Sequence, residues 1–151
     1  MIGKKQLGLC LAVLTSCLLL QGQSERGTIT GAVTDSTGAV IPNAKVVVTH
    51  AEFPSQNLTG DEQKELADLG AIIEHCFTTT YTGKATWEAA FANIRKTGVS
   101  RTMISTDLGQ TINPPVAEGF AMFAQRLLDA GFSVDDVRTM AVTIPTRLVE
   151  D

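Results

Sequence analysis

Histidine and cysteine are scarce in this chain, with two of the former and three of the latter among 151 residues. His50 and His75 are the only imidazoles, too few to fill a binuclear metal centre. Cys10 and Cys17 fall inside an N-terminal apolar stretch, which leaves Cys76 as the single thiol of the part beyond it. One thiol makes no intrachain disulfide and no Cys-based zinc site. Set in an apolar run, Cys76 reads as a buried, inert thiol. Proline is limited to five residues, there is no low-complexity tract, and no repeat recurs at a solenoid period. A basic stripe is missing too. Twelve basic against sixteen acidic residues give a net charge of −4, so nucleic acid is not the expected partner. The chain suffices for one ordinary domain and falls short of a full α/β barrel of roughly 250 residues.

What is present begins with "MIGKK", carrying Lys4 and Lys5, followed by the uncharged run "LGLCLAVLTSCLLL" and the polar "QGQSERG". A basic start, an apolar run and small residues at Gly22 and Ser24 make a secretory signal over residues 1–24, with cleavage after Ser24. The run is short for a membrane span of ~20 residues. "LTSC" at Leu14–Cys17 resembles a lipoprotein lipobox, but the apolar residues after Cys17 argue for ordinary cleavage. The expected location is therefore export to the periplasm, outer membrane or medium.

The next segment, "GTITGAVTDSTGAVIPNAKVVVT", alternates polar and apolar residues at period two around the turn chemistry of Asp35–Gly38. These residues closely resemble the opening of the carboxypeptidase-regulatory-like β-sandwich found at the N-terminus of exported bacterial proteins, TonB-dependent receptors among them. The resemblance spans Gly27 to about Thr49. It then stops, because the sequence from Asp61 onward turns helical.

From Thr59 the pattern is helix and strand in alternation. "TGDE" offers Thr59 as N-cap with Glu62 at capping-box spacing, and Gly70 ends that helix. "AIIEHCF" reads as a buried parallel strand, and "TTTYTGK" as a loop. "TWEAAFANIRKTG" is a helix with Trp87, Ala90, Phe91 and Ile94 on one face. "RTMIST" is a further strand. Asn113 is placed to cap a helix whose first turn holds Pro114 and Pro115, with an apolar stripe of Val116, Phe120, Phe123 and Leu127. Ser133 caps a short helix, and a last helical turn starts near Pro145.

With "VVVTH" in front, the order β-α-β-α-β-α predicts a parallel sheet with right-handed crossovers. Three ionisable residues then fall at the carboxyl ends of successive strands: His50, His75 and Asp107. Their separations, 25 and 32 residues, fit one βα unit each. In parallel α/β proteins that rim is where sites are built.

"VTHAEFPSQNLT", "QKELADLGAIIEHCFTT", "STDLGQTINPPVAEGFAMFAQRLLDAGFSVDDVRTMA" and "PTRLVE" resemble the C-terminal part of the amidohydrolase superfamily. More narrowly, they resemble a metal-dependent-hydrolase-like family within it, the DUF6282 group. The resemblance covers about His50 to the end and implies the last three βα units of a TIM-like barrel. It implies that His50 is a metal ligand, that Asp107 is a metal ligand or general base, and that His75 is an auxiliary catalytic or substrate contact. The implied cofactor is a divalent metal such as zinc, and the implied partner a small-molecule substrate. The superfamily's His-x-His pair on the first strand, and its ligands on the fourth and fifth, have no counterpart here. At Ile144, before Pro145, many relatives have asparagine.

Two functions of different class follow. One is an amidohydrolase-like, metal-dependent hydrolase fragment, weak or inactive alone, built on residues 46–151. The other is an exported binding module for carbohydrate or envelope protein, in which the β-segment of residues 25–45 is the working part. In either case three strands leave unpaired sheet edges, and self-association through them is expected.

Overall fold

The computed structural model describes residues 33, 34, 36–40 and 44–150. The expected signal peptide and the first strand of the β-segment lie outside these residues. The chain divides into two compact units, Met1–Pro42 and Asn43–Asp151. In the first, Thr34 and Val40 form an isolated antiparallel bridge. Gly38 between them takes φ 86°, a left-handed turn conformation that costs glycine nothing. Among the described residues no helix is long and apolar enough to cross a membrane.

The second unit is mixed α/β. Its strands are β1 (Val47–Thr49), β2 (Ile72–Cys76) and β3 (Thr102–Ser105). They form one parallel sheet in the order β1-β2-β3, as the alternation of strands and helices predicts. Helix α1 (Gly60–Asp68) links the first pair. Thr59 and Glu62 close its capping box, Thr59 accepting from the Glu62 N–H. Gly70, at φ 106°, turns the chain out of it. The second crossover holds α2 (Phe77–Tyr81) and α3 (Trp87–Thr97), the latter capped by Thr86 and stopped by Gly98.

Parallel pairing sets Val48 beside Ile73 and Ile73 beside Thr102, and His75 beside Ile104. These residues share one face, because side chains alternate along a strand. That face carries the core. Ile73 and Val48 pack with Leu66 and Ala67 of α1. Ile104 packs with Phe91 and Ile94 of α3 and with Phe123 and Leu127 of α4 (Val116–Asp129). In a closed barrel this helix-covered face is the outer one. The opposite face holds Val47, Thr49, Glu74, Met103 and Ser105 with partial or full exposure, and the buried Ile72 and Cys76.

Two local readings are corrected. "TTTYTGK" is not all loop, since Phe77–Tyr81 is helical. Burial of Phe77 and the hydroxyls of Thr80 and Thr82, which donate to the Phe77 and Thr78 carbonyls, close that turn. Asn113 is not the cap of α4. The helix begins at Val116 with Pro115 in the cap position and no side-chain cap, while the Asn113 amide donates to Gln110 Oε1. A last helix does begin near Pro145, as the sequence predicts, starting at Ile144. Helix α5 (Val134–Arg138), capped by Ser133, runs through a π-helical turn at Thr139–Thr143 into α6 (Ile144–Val149). Proline has no N–H to give the helix ladder. The wider turn before it, in which the Ile144 N–H donates to the Thr139 carbonyl, lets the helix continue.

Candidate functional site

The carboxyl rim of the sheet is assembled from three short segments. The first follows β1. Ala51 is fully buried against Ile73 and Ala67, and its carbonyl accepts from the Leu58 N–H. His50, immediately before it, is thereby held in a tight turn with φ 58°. The second follows β2. Phe77 sits at the centre of an aromatic cluster with Tyr81, Trp87 and Phe123, and this burial turns the next residue, Thr78, toward β3. The third follows β3. The Thr78 N–H donates to the Thr106 carbonyl at 3.2 Å. Leu108 packs over the buried Gly119, so close that a Cβ on that glycine would meet Leu108 Cδ1. Asp107, between these anchors, has φ 50°.

Positive φ is uncommon outside glycine, and such positions cost of order 1–3 kcal/mol each. His50 and Asp107 both adopt it, and they face each other. His50 Nε2 lies 3.7 Å from Asp107 Oδ2. The same carboxylate oxygen accepts from Thr78 Oγ1 at 2.9 Å. The His50 side chain is 30 % exposed and that of Asp107 53 %, so a solute reaches both. His50 Nδ1 is buried and has no hydrogen-bond partner among the described residues. The pair opens into a cavity of about 510 Å³ whose wall also includes Phe53, Gln56, Lys84 and Asn113.

A second cavity of about 520 Å³ lies at the other end of the strands, against Lys45, Ile72, Arg101 and Arg147. No histidine or carboxylate lines it. Both chemistry and position, at the amino ends of the strands, favour the rim cavity.

His75 is placed elsewhere. It projects on the helix-covered face, 1 % exposed, with Nδ1 2.5 Å from Glu52 Oε1. Glu52 is itself only 7 % exposed, and the Asn93 side-chain amide donates to its Oε1 at 3.3 Å. Burial pushes the Glu52 carboxyl pKa up. The short contact with His75, its charge, and the Asn93 amide outweigh that and hold it below the ordinary carboxylate range. His75 Nε2 has no hydrogen-bond partner among the described residues. The structure thus brings His50 and Asp107 together and keeps His75 with Glu52, on the loop that carries His50.

Cys76 is 3 % exposed. Burial pushes its thiol up to about 11, against the lowering effect of the Ser105 hydroxyl, which donates to it at 3.3 Å. It is a packing residue, as its apolar setting in the sequence predicts.

Thr78, Lys84 and Glu52 are site or support residues that the sequence reading passes over. Glu52 had one available signal, its place two residues after His50. Thr78 and Lys84 carry none that distinguishes them from other loop residues.

Catalytic zinc takes about three protein ligands and an open position. His50 and Asp107 offer two donors, and among the described residues no group of three or more His, Cys, Asp or Glu side chains gathers to hold a metal. The set implied by the resemblance is therefore not made up by these residues. The chain matches no protein-family model, no curated protein and no solved structure.

Proposed function

We propose that the rim cavity is a hydrolytic site of amidohydrolase type, weak by itself, in which Asp107 is the general base and His50 its partner. The observation that supports this reading most is the 3.7 Å approach of His50 Nε2 to Asp107 Oδ2, across the carboxyl ends of two strands with a third between them. Asp107 takes the proton of a water that attacks an amide or ester carbonyl. His50 orients the carboxylate, stabilises its charge and passes a proton to the leaving group. Thr78 donates to the same oxygen and fixes the direction of the free lone pairs.

A divalent metal stays part of the proposal on the resemblance alone, with His50 and Asp107 as its donors. Export rests likewise on Lys4, Lys5 and the apolar run that follows them. The expected roles of His50 and Asp107 come from positions on one rim, after the two outer strands of the sheet. His75 would act on the reaction only through the Glu52-bearing loop.

The test is hydrolysis of N-acetylglycine p-nitroanilide by the purified chain, with and without Zn²⁺. A slow turnover that falls about a hundredfold in Asp107→Asn is expected, the lower end of what a positioned acid–base group supplies. No turnover above buffer, or turnover unchanged in Asp107→Asn, overturns the proposal.

A further inference from the structure

The cavity wall holds a lysine that forms no ion pair among the described residues. Lys84 lines it together with His50 and Asp107. Among the described residues Lys64 pairs with Asp68 and Lys96 with Asp61, and Lys45 is taken by the Arg147 and Glu150 carbonyls. Among the described residues Lys84 alone of these four lysines has neither an ion pair nor a side-chain hydrogen bond. Its backbone is fixed all the same. Gly83 takes φ 71° at the end of α2, and the Lys84 N–H donates to the Thr79 carbonyl at 2.9 Å. Lys84 thus lines the cavity on a set backbone. Neutral donors make up the wall around it: the amides of Gln56, Gln110 and Asn113 and the hydroxyl of Ser55.

We propose that this cavity recognises a small molecule bearing one carboxylate, with Lys84 receiving that carboxylate while the bond to be cleaved lies against His50 and Asp107. The placement of the scissile bond rests on the hydrolytic reading, whereas the seat of the carboxylate at Lys84 does not. Charge balance selects the class. Lys84 supplies one positive charge, and Asp107 already contributes a negative one on the same wall. With those two charges cancelling, a monoanion leaves one excess negative charge and a phosphate dianion leaves two, which favours the monoanion. The side-chain amides of Gln56, Gln110 and Asn113 hydrogen-bond a carboxylate without adding charge, and Lys acts on it as a point charge on a flexible stem.

The experiment is calorimetric titration of the full chain with three probes: N-acetylglycine, its neutral N-methylamide and inorganic phosphate. N-acetylglycine should bind about tenfold more tightly than the methylamide, a difference of 1.4 kcal/mol, and more tightly than phosphate. Lys84→Met should erase the preference and Lys84→Arg should restore it. The residue is exposed, so neither change threatens the fold. Equal affinity for the acid and the methylamide overturns the proposal, as does phosphate binding as tightly as the acid, or a preference that survives in Lys84→Met. Hydrolysis of a carboxylate-bearing anilide, glutaric acid mono-p-nitroanilide, separates the two readings. If the acid is preferred through Lys84 and nothing is hydrolysed, the carboxylate site stands and the hydrolytic reading fails. If Asp107-dependent hydrolysis occurs and the acid has no advantage, the carboxylate site fails and the hydrolytic reading stands.

Discussion

Replacing His75 with leucine isolates a charge that the fold has buried. Glu52 is 7 % exposed and His75 1 %, with 2.5 Å between Oε1 and Nδ1. Without the imidazole, the Glu52 carboxylate keeps only the Asn93 amide at 3.3 Å. Breaking a buried pair by removing one partner costs about 3–5 kcal/mol, because the other charge is left uncompensated. In a domain of about 100 residues that lowers Tm by more than about 10 °C. Glu52→Leu should cost less, about 1–3 kcal/mol, the cost of a buried polar group left unsatisfied. The double variant Glu52→Leu/His75→Leu removes both polar groups, and its cost should fall short of the sum of the singles by more than about 1 kcal/mol. Urea unfolding followed by the fluorescence of Trp87, the only tryptophan, measures all three. The pH dependence is distinctive. In the wild type the Glu52 pKa is lowered, so its contribution is present above the ordinary carboxylate range and is lost as pH falls through the folded value. In His75→Leu the lowering contact is gone, and burial alone pushes the carboxyl up. Its ionisation then destabilises at neutral pH, and acid relieves that cost. The gap in stability between wild type and His75→Leu should narrow from pH 7 toward pH 4. Additive single-variant costs, or a gap that widens in acid, would refute a buried ion pair.

Other outcomes follow from the same geometry. Gly119→Ala would drive a Cβ into Leu108 and against Phe77, and should destabilise by about 1–3 kcal/mol in chemical unfolding, with loss of whatever activity depends on Asp107. Cys76, with its thiol raised to about 11, should resist iodoacetamide at pH 8 in the folded chain and react on unfolding, as read by mass spectrometry. Val46 and Val47 are 50 % and 36 % exposed on a strand whose one neighbour among the described residues is β2. The chain should therefore elute from size-exclusion chromatography ahead of a monomer, and Val47→Lys should shift it back.

The sheet was legible because its signals are redundant. A capping box at Thr59, a stop at Gly98 and two apolar runs all require the same alternation of strand and helix, and the parallel order then puts His50 and Asp107 on one rim. What escaped the sequence depends on which side of a strand a residue projects. His75 and Asp107 both read as strand-end groups, yet His75 is one residue inside β2 and so takes the helix-covered face, while Asp107 is two residues beyond β3 and free to turn back. Glu52 is passed over in the sequence, because nothing local shows that a histidine 23 positions on will meet it. The continuation of α5 past Pro145 depends on a π-helical turn, a rare adjustment that propensity does not signal.

The central claim is that His50 and Asp107 act as one unit. A double-mutant cycle on hydrolysis of N-acetylglycine p-nitroanilide, with His50→Gln, Asp107→Asn and both together, tests it most directly. Residues that act together are non-additive, so either single change should slow turnover about as much as the pair. Two losses that multiply in the double variant would mean that the residues act independently, and would contradict the account.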